Sequence, residues 1–106
     1  MQLNVESAAL DSANDAVTIE LTDGATMVAF ELVYGTLSGS TVTFEAQGPS
    51  GTWYALGVTP STGAAVATTA TAAGLWQANV AGFRSVRMRL STAGTGAGTG
   101  YAITGR

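Results

Sequence analysis

The chain has 106 residues and a formal net charge of −3; 46% of the residues are hydrophobic and only 10% are charged, with no cysteine and no histidine. Its four basic residues are all arginine: Arg84, Arg87, Arg89 and Arg106. These counts exclude disulfides, thiolate and imidazole metal sites, cysteine nucleophiles, a Schiff-base lysine and a P-loop lysine, and the acidic balance argues against nucleic acid as the main partner, which needs a basic patch.

Residues 1–15 show no sustained period, and Asp11, Ser12, Asn14 and Asp15 are turn formers. The expectation is an N-terminal arm over 1–15, frayed or added to a neighbouring subunit, followed by one domain over 16–106. From Ala16 the apolar residues alternate as in a half-buried strand. Val17, Ile19 and Leu21 point one way and Thr18, Glu20 and Thr22 the other, and Asp23-Gly24 then signals a turn. Val28, Phe30 and Leu32 oppose Met27, Ala29, Glu31 and Val33, so both faces of this strand are fairly apolar and it is expected to be central or partly covered on both sides.

After a loop over 35–40 comes the clearest strand. Val42, Phe44 and Ala46 face the core, and Thr41, Thr43, Glu45 and Gln47 face out. Gly48-Pro49-Ser50-Gly51 is a tight turn, and 52–59 returns as the hairpin partner. There Trp53 and Ala55 compete with Tyr54, Leu56 and Val58 for the inside. Pro60-Ser61-Thr62-Gly63 breaks the chain, and 64–71 is a weak strand of Ala and Thr. Trp76, Ala78 and Val80 then alternate with Leu75, Gln77 and Asn79. Arg84 to Ser91 is a second clean strand, with Val86, Met88 and Leu90 in and Ser85, Arg87 and Arg89 out. A Gly/Ala/Thr loop over 92–98 leads to a last short strand marked by Tyr101 and Ile103.

About eight short strands with turn residues between them, and no sustained helical period, predict an all-β fold: an antiparallel β-sandwich, immunoglobulin-like or jelly-roll-like. The longest apolar runs, such as Val28 to Leu32, are too short to span a membrane. No basic stretch followed by an apolar run marks a signal peptide at the N-terminus, so folding in a cytoplasm is expected. A charged fraction this far below the roughly 25% of an ordinary domain points to a surface covered by a partner or by copies of the chain.

No constellation carries catalytic chemistry. Glu20, Glu31 and Glu45 lie on separate strands at polar-phase positions, which reads as solvated strand faces rather than a glycosidase pair. Asp11, Asn14 and Asp15 lack the calcium-loop spacing, and Gly94-Thr95-Gly96-Ala97-Gly98 has neither a following helix nor a lysine to hold phosphate. No catalytic, cofactor or metal residue is therefore assigned. Trp76 shares phase with Ala78 and Val80 and reads as core. Trp53 and Tyr54 are neighbours and face opposite sides, so one of them is exposed or at an interface. Arg87 and Arg89 are the close basic pair on one strand face, either bridging to outward Glu residues on adjacent strands or anchoring a subunit contact. Trp53, Tyr54, Arg87 and Arg89 are the candidate protein-contact residues.

The stretch from Val42 to Leu56, with its Val42-Thr43-Phe44-Glu45 strand, Gly48–Gly51 turn and Trp53 to Leu56 return, resembles β-sandwich modules of tailed-bacteriophage virion structural proteins. So does the stretch from Gly74 through Trp76, Val80, Gly82 and Phe83 to Val86-Arg87-Met88-Arg89-Leu90. The resemblance covers about residues 16–106. It implies a non-enzymatic virion protein assembled in the host cytoplasm. The leading form is a capsid decoration (cement) protein that stabilises the head. Its partner would be the major capsid protein or another virion protein, with self-association, a trimer included. A head–tail or tail accessory protein is the main variant. A carbohydrate-binding module is the alternative that the residues themselves suggest, through an exposed aromatic ring.

Overall fold

The computed structural model describes residues 4–21, 24–34 and 38–105. The predicted turn at Asp23, part of the loop over 35–40, the first three residues of the expected arm, and Arg106 lie outside the described residues. The elements are β1 (Val5–Leu10), β2 (Ala16–Glu20), β3 (Met27–Val33), β4 (Thr41–Gln47), β5 (Trp53–Ala55), β6 (Thr59–Pro60), β7 (Thr69–Ala70), β8 (Gly74–Asn79), β9 (Ser85–Thr92) and β10 (Gly98–Gly105). There is no helix among the described residues.

The strands form two antiparallel sheets, ordered β1-β10-β3-β8-β6 and β2-β9-β4-β5, with β7 also on β4. β5 pairs Glu45 to Gln47 and β7 pairs Val42 and Thr43, so the two short strands lie end to end along one edge of β4. With the two-residue strands β6 and β7 set aside, the remaining strands, counted along the chain, run 1-8-3-6 in one sheet and 2-7-4-5 in the other. That order is the jelly roll, two Greek keys closed into a sandwich, and it decides between the two expected forms.

Alternation puts Val17, Ile19, Val28, Phe30, Leu32, Val42, Phe44, Val86, Met88 and Leu90 between the sheets, all essentially solvent-free. At the centre, the Phe44 ring of one sheet lies 5.7 Å from Phe30 and 5.0 Å from Trp76 of the other, in tilted arrangements. Phe30 and Trp76 are themselves cross-strand partners. The Gly48–Gly51 turn closes with Gly51 N donating to Gly48 O at 3.0 Å, and Gly51 has φ 92°, a conformation that costs glycine least.

Two expectations are corrected. Residues 5–10 are not an arm: they pair antiparallel with β10 over their whole length and carry Leu10 into the core. Their small side chains give little hydrophobic contrast, so the strand state comes from the partner strand rather than from local pattern. The return strand after the turn also divides. β5 stays on β4, whereas β6 crosses to pair with β8 in the opposite sheet; Leu56 and Val58 are the residues buried at the crossing.

Gly94 has no room for a side chain. A Cβ there would overlap the Ser38 carbonyl oxygen and the Gly39 backbone, where Ser38 and Thr95 form a two-way backbone bridge at 2.8 and 2.9 Å. Gly94→Ala is expected to destabilise by about 2–3 kcal/mol, the cost of overpacking against backbone that must move. Urea unfolding beside the wild type checks this.

Candidate functional site

The outer face of the β2-β9-β4-β5 sheet holds three of the four candidate contact residues. Cross-strand register sets its rows: Glu20, Ser85, Gln47 and Trp53 in one, Thr18, Arg87, Glu45 and Ala55 in the next, Ala16, Arg89 and Thr43 in a third. The period of two puts Glu45, Arg87 and Arg89 on this side while their neighbours Phe44, Ala46, Met88 and Leu90 fill the core.

Glu45 is the hub. Its Oε1 accepts from Arg87 Nε at 2.7 Å and from Arg89 Nε at 2.9 Å, and its Oε2 accepts from Arg89 Nη2 at 3.2 Å. Arg89 Nη1 also donates to Asn14 Oδ1 at 2.9 Å, and the Arg87 guanidinium lies 4.0 Å over the Trp53 ring, within cation–π range. The Glu45 side chain is only 13% exposed, so this is a packed ion-pair cluster rather than a pair of free surface charges. Partial burial pushes its carboxyl up, but the hydrogen bonds and charges of Arg89 and Arg87 outweigh this and hold it below its ordinary value of 4.5. The Arg89 guanidinium is raised by its bond to Glu45.

Sequence reasoning put Arg87 and Arg89 on the outward side and offered outward Glu residues on adjacent strands as one reading, without singling out Glu45, and left open whether Trp53 or Tyr54 faces inward. The available signal was the outward Glu on a strand able to neighbour the arginine strand; only the sheet order shows that β4 is that neighbour. Tyr54 does not join the cluster. It faces the other way at the rim and is 61% exposed. Trp76 is buried as expected, and Arg87 covers one face of Trp53. The exposed aromatic side chains among the described residues are Tyr54, Phe83 and Tyr101.

Asp11, Asn14 and Asp15 make a capped turn. Asp15 Oδ2 accepts the backbone N–H groups of Asp11 at 3.2 Å and Ser12 at 3.0 Å, Asn14 takes φ 72°, and its amide oxygen is engaged by Arg89. The Asp11 N–H, then the Ser12 N–H, lower the Asp15 carboxyl. No group of three metal-ligating side chains occurs among the described residues.

Both carboxyls are lowered on folding, so each contributes stability that is complete above the unfolded-chain carboxylate value and is lost as pH falls through the folded value. Thermal stability is therefore expected to drop as pH is taken from neutral to below about 4. In Glu45→Gln the drop is shallower, because one of the two linked groups no longer titrates. Melting temperature against pH for both chains checks this.

The other sheet presents a different surface. Val5, Val33, Leu75, Tyr101 and Ile103 point outward and are 38–62% exposed, and the Val5–Ile103 row continues through Ala29 to Gln77. Its outward strand positions carry one acid among the described residues, Glu31, flanked across the strands by Tyr101 and Leu75. The molecule is thus two-sided: one sheet face carries the Glu45–Arg87–Arg89 cluster and the other carries five exposed large hydrophobic residues.

The family model of XepA matches residues 8–102 of this chain. No curated protein matches it. Among solved structures, the SPBc2 prophage-derived protein YomS is 17% identical, with a TM-score of 0.79 over 98% of this chain and 95% of that one. The PBSX exported protein XepA is 20% identical, with a TM-score of 0.79 over 98% of this chain but 38% of its own length. A chitosan-binding module from a Paenibacillus sp. IK-5 chitosanase/glucanase is 18% identical at a TM-score of 0.50, a likeness of fold alone.

Proposed function

The chain belongs to the XepA family and shares its fold with prophage proteins, and from that premise we propose that it is a non-enzymatic phage structural protein that works by binding, as a decoration protein on the phage head. The observation that carries this reading is the two-sided sandwich. Glu45, Arg87 and Arg89 are committed to one another on one face, and most of the exposed large apolar residues lie on the opposite face, where a partner would desolvate them. Many such contacts on a repeated lattice would add stability to a shell even if each is weak.

A second reading follows from the exported character named for XepA: a phage protein that acts outside the particle. Quantitative mass spectrometry of purified particles against the major shell protein separates the two. A ratio near lattice stoichiometry supports decoration of the head. A few copies per particle move the protein to the head–tail junction or tail. Absence from particles, with the chain recovered from the medium, overturns the virion reading in favour of the exported one.

A further inference from the structure

A cleft of about 400 Å³ opens at one end of the β2-β9-β4-β5 sheet, lined by Glu20, Leu21, Gln47, Phe83, Arg84 and Ser85. That size lies within the range of small-molecule sites. Its floor is the end row of the outer face, where Ser85 pairs with Glu20 on one side and with Gln47 on the other. Its wall is the β8–β9 connection, a tight turn closed by Phe83 N donating to Val80 O at 3.2 Å. Gly82 has φ 92° at the third position of that turn, the place where a type II turn requires positive φ. Asn79 Oδ1 braces it by accepting the Ala81 N–H at 3.1 Å. Arg84 is then fixed from both sides, its N donating to Gln47 O at 2.9 Å and its O accepting from Leu21 N at 3.0 Å. Backbone bonds thus hold the cleft in shape, and little ordering is left to be done on binding.

Its polar groups, unlike those around Glu45, are uncommitted. Arg87 and Arg89 are bound to Glu45, whereas neither Arg84 nor Glu20 has an ion pair or a side-chain hydrogen bond among the described residues. Ser85 is only 8% exposed, and its hydroxyl has no hydrogen-bond partner there either. No side-chain oxygen among the described residues is fully buried without a partner, so that hydroxyl opens into the cleft. Gln47 gives its Nε2 to Gly51 O at 3.1 Å, which leaves its amide oxygen as an acceptor.

The set is mixed: Glu20 and the Gln47 oxygen accept, Arg84 donates, and the Ser85 hydroxyl does both. One carboxylate and one guanidinium cancel in charge, which disfavours an ion as the ligand. Phe83, 39% exposed, adds an aromatic surface beside them. A molecule matched to this set is neutral, carries hydroxyls that both donate and accept, and has an apolar face for the ring. We propose that the cleft binds a neutral saccharide, with Glu20, Gln47, Arg84 and Ser85 hydrogen-bonding its hydroxyls and Phe83 lying against the C–H face of a sugar ring. The cleft is on the sheet opposite the exposed apolar face, so the inference does not rest on the decoration reading.

NMR amide shifts of the isotope-labelled full chain, followed on addition of maltotetraose, cellotetraose or tetra-N-acetylchitotetraose, test this. At least one of the three is expected to move the resonances of Glu20, Gln47, Phe83, Arg84 and Ser85 saturably, with a Kd of about 1 mM or tighter. Arg84→Ala and Phe83→Ala change exposed side chains, and both are expected to keep the fold and to weaken binding about tenfold. Tyr54→Ala, outside the cleft, is expected to leave the affinity unchanged. Silence of these resonances toward all three oligosaccharides would overturn the proposal. So would shifts centred on Tyr54 or Tyr101, an unchanged affinity in the folded Arg84→Ala and Phe83→Ala chains, or a response to inorganic phosphate alone. The wild-type titrations stand by themselves if either variant fails to fold.

Discussion

Phe44→Ala is expected to lower the unfolding free energy by about 4 kcal/mol, the upper part of the range for removing a buried ring. Phe44 is solvent-free and is the residue of β4 whose ring meets both Phe30 and Trp76 of the facing sheet. Its loss removes the transfer energy of the ring and two aromatic contacts of about 0.5–1.5 kcal/mol each. The cavity opens between two sheets held by their own ladders, so neither can collapse onto it freely. A domain of this size has about 5–15 kcal/mol in all, which makes the change a large fraction of the whole. Urea denaturation with an unchanged m-value would show it as a shift in midpoint. Tyr54→Ala, at an exposed rim, is the control and is expected to stay within about 0.5 kcal/mol of wild type. A loss at Phe44 of under about 1 kcal/mol would mean that the two sheets repack without the central ring.

Glu45→Ala is expected to cost about 2 kcal/mol, more than the 0–1 kcal/mol of an ordinary surface ion pair. The difference comes from burial and geometry. One carboxylate, 13% exposed, receives three guanidinium hydrogen bonds, and bonds to charged groups are the strong ones. Without it Arg87 and Arg89, two residues apart on the same face of β9, repel each other. Arg87 keeps its place over Trp53, whereas Arg89 keeps only the bond to Asn14. A double-mutant cycle with Arg89→Ala isolates the pair, and a coupling of about 1 kcal/mol or more is expected. Coupling near zero would show the cluster to be an ordinary solvated surface. Because the cluster lies on the outer face of the other sheet, both variants should leave the pairing of β1 with β10 unchanged.

Much of the sandwich was legible because burial on one side of a strand imposes a period of two. The runs at Val17/Ile19, Val28/Phe30/Leu32, Val42/Phe44/Ala46 and Val86/Met88/Leu90 each announce a strand and its inner face, and each inner face is buried. The Gly48–Gly51 turn is written in residue chemistry. β1 and most of β10 carry no such signal. In β10, Gly98 and Gly100 lie inward and buried, and a Cβ at Gly100 would approach Leu10 and Met88 at 2.9 Å and Val17 at 3.1 Å. Large neighbours from three other strands leave room only for a glycine there, and a glycine gives no inward-facing signal to a local reading.

The candidate site divides in the same way. That Arg87, Arg89 and Glu45 face outward follows from alternation, and that Tyr54 and Trp53 part company follows from their adjacency. The sequence by itself determined which residues alternate, where the chain turns, and that histidine, lysine and cysteine chemistry is impossible. Only the tertiary structure decided that β4 lies beside β9, so that one carboxylate serves two arginines, and that β1 closes one side of a sheet and leaves its outer edge open. Those are outcomes of long-range pairing, in which strands far apart in the chain become neighbours through shared hydrogen bonds and a common core, and no local pattern encodes which strand will be the neighbour.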